Sequence, residues 1–135
     1  MRRLSTLDLP WLAYLCRKKY SDSYDADLTA QWFTEQVLRN PLMYYAIRTD
    51  NAFCIAYINT FPWLPGESDC NVNFICADDG KMWEAVRLLR ATIDWAKRRN
   101  CKNWWLAGDT DIDLKMIAWR LQAREQWPRF KLQLR

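Results

Sequence analysis

The chain has 135 residues, half of them apolar and 27% charged, the balance of one globular domain large enough for a real core. Nine Trp, three Gly and no His stand out. Without His there is no Ser–His or Cys–His nucleophile pair and no His-ligated metal. A net charge of +4 is mild and does not by itself imply nucleic acid. Cys16, Cys54, Cys70, Cys76 and Cys101 are odd in number, lack C-x-x-C spacing and lie mostly in apolar runs. They read as buried reduced thiols rather than a disulfide frame or a zinc site. The first residues are not followed by an unbroken apolar stretch, and no run approaches a membrane span. The expected compartment is cytoplasmic, without membrane contact.

In chain order, residues 2–4 suit a short strand. Ser5, Thr6 and Asp8 offer caps, and Pro10 falls where a first helical turn tolerates it. Leu9, Leu12, Ala13, Cys16 and Tyr20 form an apolar stripe, closed by Arg17, Lys18 and Lys19. A polar loop covers 21–25. Asp27 is the expected cap of a second helix that buries Leu28, Trp32, Phe33 and Val37. Asn40-Pro41 ends it. Residues 42–48 and 52–61 are β-rich and joined across Thr49-Asp50-Asn51, a hairpin signal. Residues 62–68 are the clearest loop.

Residues 69–106 organise the rest. Cys70, Val72, Phe74 and Cys76 alternate with Asn71, Asn73 and Ile75, which predicts a strand with one strongly apolar face. After Ala77-Asp78-Asp79-Gly80 the period becomes helical. Met82, Val86, Leu89, Ile93 and Ala96 form one stripe of a helix from Lys81 to about Arg99. Asp78 and Asp79 are expected to cap its start, Lys97 to Arg99 to complement its end and Asn100 to close it. A strand over 103–107 completes a strand-helix-strand crossover, so the two strands are expected to be parallel. Trp104 and Trp105 point to opposite faces, which argues for a sheet covered on both sides. Asp109, Asp111 and Asp113 then mark a turn into a helix with a Leu114, Ile117, Ala118, Leu121 stripe. Phe130, Leu132 and Leu134 suit a last strand.

The order strand, helix, helix, three strands, long helix, strand, helix, strand resembles that of the GNAT acyltransferases over nearly the whole chain. The opening Arg3-Leu4-Ser5-Thr6-Leu7-Asp8-Leu9-Pro10 is similar to the family's usual start. The ending Trp104-Trp105-Leu106-Ala107-Gly108-Asp109-Thr110, then Leu121-Gln122-Ala123, resembles small GNAT-like proteins of short-tailed phages. The resemblance implies an α/β fold with a mixed central sheet and helices on both faces. It also implies acetyl-CoA between the crossover strands, its pyrophosphate on backbone amides at the long helix's start. A backbone N–H of the first crossover strand would polarise the thioester, and a carboxylate or water would take the amine's proton. By that analogy the cofactor would touch Phe74, Cys76, Asp78, Gly80 and Lys81.

Where the family's turn reads Arg/Gln-x-x-Gly-x-Gly/Ala, this chain has Ala77-Asp78-Asp79-Gly80-Lys81-Met82. The common Tyr acid falls at Ala118. Asp109, Asp111 and Tyr57 are the catalytic candidates that remain, each with a plainer structural role: helix capping for the two Asp, core packing for Tyr57. Glu67 and Asp69 lie on an expected substrate-facing loop. Arg87, Arg90, Lys97, Arg98 and Lys102, near Trp95 and Trp104, suit a solvated helix face better than a nucleic-acid surface. Trp11, Trp63, Trp83, Trp119 and Trp127 are expected near the surface, where they favour a protein partner. The leading expectation is a protein with a degenerate acyl-CoA site that acts by protein contact, as a virion component or an inhibitor of a host factor. It would sit in the host cytoplasm or the virion. The alternative is an active N-acetyltransferase using acetyl-CoA.

Overall fold

The computed structural model describes residues 1–20, 25–106 and 120–121. Five strands form one sheet in chain order: β1 (Arg2–Arg3), β2 (Tyr44–Arg48), β3 (Ala52–Thr60), β4 (Ser68–Ala77) and β5 (Asn103–Leu106). The first three pairings are antiparallel; β4 and β5 are parallel, with Asn71 opposite Trp105 and Val72 opposite Leu106. The crossover is helix α3 (Met82–Arg98), which packs on one face of the sheet. The other face carries α1 (Leu9–Tyr20), α2 (Ala26–Trp32) and a π-helical turn (Phe33–Val37). The mixed sheet with helices front and back is as the sequence predicts. Among the described strands β1 and β5 form the two edges.

Several boundaries have a local cause. Ser5 and Asp8 form a capping box: the Ser5 N–H donates to the Asp8 carboxylate at 2.8 Å. At the C-terminal end of α3, Asn100 takes a left-handed φ of 57°. The Asn100 N–H then bonds the Lys97 carbonyl and the Cys101 N–H that of Ala96, a Schellman closure. The second helix departs from expectation. Asp25, not Asp27, caps it, accepting from the Leu28 N–H at 2.9 Å. Leu28 is 64% exposed, because the sheet-facing positions are those of the π turn, Phe33 and Val37. In α1 the buried set is Leu12, Leu15 and Cys16.

Strand β4 is where the reading by alternation fails. Ile55 pairs with Phe74 but Ala56 pairs with Val72, so Asn73 is an extra residue, a β-bulge. Cys70, Val72, Ile75 and Ala77 join the α3-side core, while Phe74 and Cys76 join the α1 side. The expected single apolar face is therefore split between two cores. On α3 the buried stripe is Ala85, Val86, Leu88, Leu89, Thr92, Trp95 and Ala96; Met82 and Ile93 flank it, half-buried.

The fully buried Thr92 hydroxyl joins helix to strand. It donates to the Leu89 carbonyl at 2.7 Å and accepts from the Trp104 indole N–H at 3.0 Å. Thr92→Val keeps the shape but strands that indole donor, at an expected cost of about 1–3 kcal/mol in urea melts. A loss under about 0.5 kcal/mol would show that another acceptor takes over.

Candidate functional site

Strand β4 ends at Ala77 and α3 begins at Met82, so residues 78–81 form the strand-to-helix turn. Its backbone is largely self-satisfied. The Asp78 N–H donates to the Asn51 carbonyl at 2.8 Å and the Lys81 N–H to the Asp78 carbonyl at 3.0 Å. The Asp79 N–H donates to the Asp78 carboxylate at 2.9 Å. Within this turn only the Gly80 N–H has no acceptor among the described residues. Gly80 takes a φ of +73°, which its missing Cβ permits. Asn51, on the β2–β3 hairpin, braces the helix start: its backbone and side-chain amides donate to the Glu84 carboxylate at 3.2 and 3.0 Å.

The two turn carboxylates do not cap α3. Lys81 holds the N-cap position, and no side chain caps the helix there. Instead Asp78 and Asp79 face the end of α1. Lys18 lies 2.6 Å from Asp78 and 3.1 Å from Asp79, and Lys19 lies 2.7 Å from Asp79. A hydrogen bond from Lys18 holds the Asp78 carboxyl below its usual range, and one from Lys19 does the same for Asp79. The same contacts raise Lys18, with its bond to Asp78 the largest cause. Asp78, Asp79 and Lys18 therefore stay ionised at neutral pH. The cations outbid the helix start for the carboxylates because a full charge at under 3 Å attracts more strongly than the partial charge of a helix end.

The crossover strands pair only over Asp69–Val72 and Asn103–Leu106. Past Val72, at the Asn73 bulge, β4 has no β5 partner among the described residues. The α1-side face of β3 and β4 beside the bulge is aromatic and polar. Tyr57 stacks on Tyr44 at 5.9 Å, and Trp32 meets Tyr44 at 6.2 Å and Phe74 at 5.7 Å. Asp69 accepts from the Trp105 indole at 2.9 Å and the Asn103 amide at 3.2 Å.

Of the residues singled out in the sequence, Asp78, Gly80 and Lys81 share the turn. Cys76 is buried in the α1-side core, so only its backbone could meet a ligand, whereas Phe74 is half-buried on the aromatic face of β4. Tyr57 is half-buried on the aromatic face. Asp109 and Asp111 lie outside the described residues. Lys18 and Lys19 were not singled out; sixty residues separate them from Asp78 and Asp79, and nothing local signals the contact. Glu67 pairs with Lys102 at 3.3 Å on the surface. Trp95 is buried, stacked on Tyr45 at 5.1 Å, and Trp104 turns inward to Thr92, so neither belongs to a nucleic-acid surface. Trp63 and Trp83 are exposed, as expected; Trp11 is half-buried with the Arg48 guanidinium 3.6 Å above it. Trp119 and Trp127 lie outside the described residues. None of the five Cys is disulfide-bonded among the described residues. Burial pushes Cys70 up to about 12 and Cys54 higher, which keeps both protonated and unreactive. Among the described residues no His, Cys, Asp or Glu cluster suits a metal, and no helix is long and apolar enough to cross a membrane.

No protein-family model and no curated protein sequence matches the chain. Solved structures do. A ribosomal-protein-alanine N-acetyltransferase from Brucella melitensis superposes with a TM-score of 0.71 at 19% identity, over 97% of this chain and 96% of that one. An acetyltransferase from Trypanosoma brucei gives 0.73 at 12% identity, over 98% and 97%. An aminoglycoside 6'-N-acetyltransferase from Acinetobacter haemolyticus gives 0.69 at 17% identity, over 99% and 97%. With its mixed sheet, its crossover helix and these full-length superpositions, the chain has the GNAT fold.

Proposed function

We propose that this is a GNAT-fold protein whose acyl-CoA turn is closed and whose role is carried by contact with another protein. A virion component or an inhibitor of a host factor is the kind of role this implies. The observation that carries it is the turn. A pyrophosphate needs several convergent backbone N–H groups at such a helix start. Here the donors of Asp78, Asp79 and Lys81 already serve protein acceptors. Lys18 and Lys19, the cations beside the turn, are already matched by Asp78 and Asp79.

Calorimetry with acetyl-CoA tests the reading. The expected result is binding weaker than about 1 mM. Binding gained by Asp78→Gln with Asp79→Gly would support a closed site. Micromolar binding to the wild-type chain, abolished by Gly80→Trp, would overturn it. The second reading, an active N-acetyltransferase, is favoured by the Asn73 bulge, beyond which β4 has no β5 partner among the described residues. In that reading Tyr57, Asp109 or Asp111 would handle the proton, and acetyl-CoA turnover with an amine acceptor would be measurable.

A further inference from the structure

Helix α3 turns a charged face to solvent. Trp83, Arg87, Arg90, Asp94 and Lys97 recur at helical spacing and are all exposed, with Lys81 and Arg98 exposed at the ends. None of Lys81, Arg87, Arg90, Lys97 or Arg98 belongs to an ion pair among the described residues. That face holds Arg87, Arg90, Lys97 and Arg98 with one carboxylate, Asp94; Lys81 lies at the helix start, and the Arg120 guanidinium lies 4.3 Å over the Trp83 ring. Among the described residues this helix face therefore carries a clear cationic excess.

The C-terminal end of this face abuts an apolar patch. The Ile58 N–H bonds the Met43 carbonyl at 2.8 Å, which lays Leu42 and Met43 along the end of β3. The loop that follows β3 carries Trp63, with its ring against Phe61 at 5.7 Å, and Leu64. Trp63 is 74% exposed and Leu42 68%, with Met43 and Leu64 also exposed. The Arg99 guanidinium donates to the Leu42 carbonyl and so fixes the end of α3 to this patch.

We infer that the α3 face and the Trp63 patch form one docking surface for a protein that sets acidic residues beside an apolar anchor. This rests on the reading of the chain as a contact protein. Charge complementarity selects the occupant. A second copy paired face to face would bring the two cationic stripes together. A nucleic-acid backbone would meet Asp94 in mid-stripe, and its phosphates would gain nothing from Leu42, Met43 and Leu64. An acidic, partly apolar protein surface uses both halves, and an exposed Trp beside Arg is the composition of interface hot spots.

Fluorescence anisotropy with a labelled amphipathic Glu/Leu peptide tests this. The controls are a Lys/Leu peptide and an oligothymidylate of similar length. The expected result is binding of the Glu/Leu peptide that falls with salt. Arg87→Glu with Arg90→Glu should weaken it at least about tenfold, and Trp63→Ala about tenfold without removing the salt dependence. Thermal melts of these surface variants check that they fold. Failure of the Glu/Leu peptide to bind overturns the inference. Tighter binding of the oligothymidylate through the same arginines would make it a nucleic-acid surface. A concentration-dependent dimer in sedimentation, lost in Trp63→Ala, would make it a self-interface. None of these residues lies in the 78–81 turn, so the acetyl-CoA titration succeeds or fails independently.

Discussion

Leu89→Ala is expected to destabilise the fold by about 2–5 kcal/mol in denaturant melts. Arg90→Ala, the next residue on, is expected to change it by less than about 0.5 kcal/mol. Leu89 is fully buried in the α3-side core that also holds Cys54, Val72 and Ile75. Truncation removes apolar contact and leaves a cavity that the rigid sheet cannot close. Arg90 points to solvent. Ile93 is half-buried at the edge of the same stripe, so Ile93→Ala should cost less than Leu89→Ala. Equal losses at Leu89 and Arg90 would mean that α3 is rotated about its axis.

The second large effect is expected at Asp8, which is buried and accepts from five donor atoms. Arg2 reaches it at 2.7 and 3.0 Å, Arg48 at 2.9 Å, the Ser5 N–H at 2.8 Å and the Ser5 hydroxyl at 3.5 Å. Asp8→Asn leaves Arg48, wedged over Trp11, without its counter-charge. The expected cost at neutral pH is roughly 3 kcal/mol, the lower end of the buried-pair range because Arg2 is mostly exposed. Bonds from Arg2 first, then from Ser5 and Arg48, hold the Asp8 carboxyl well below the usual range. Its folded pKa is depressed, so the contribution is complete above the unfolded value, about 4, and fades as the pH falls below it. The gap in melting temperature between wild type and Asp8→Asn should therefore narrow on acidification to about pH 2. A constant gap would mean that shape rather than charge carries the effect.

What could be read in the sequence follows how local each cause is. The crossover and the hairpin show because period and turn chemistry are properties of neighbouring residues. The Ser5–Asp8 box and the Asn100 closure are local in the same way. The choice between Asp25 and Asp27 turned on where the chain enters α2, which neither Asp encodes. The partners of Asp78 and Asp79 come from α1, sixty residues earlier, and cap preference alone pointed the wrong way. For β4, alternation cannot reveal which residue the neighbouring strand leaves unpaired.

That unpaired residue has a consequence of its own. Without Asn73, Val72 would still sit opposite Ala56 and Phe74 opposite Ile55, and every other side chain would keep its face. The ladder would be continuous and both cores unchanged. Asn73 is thus an insertion that the architecture tolerates without requiring. What it adds is a bend and a local increase in twist just past the last described β4–β5 pair, Val72 with Leu106. Stability and shape are separable at this point, so a one-residue deletion can ask what the bend is for without dismantling the protein that carries it.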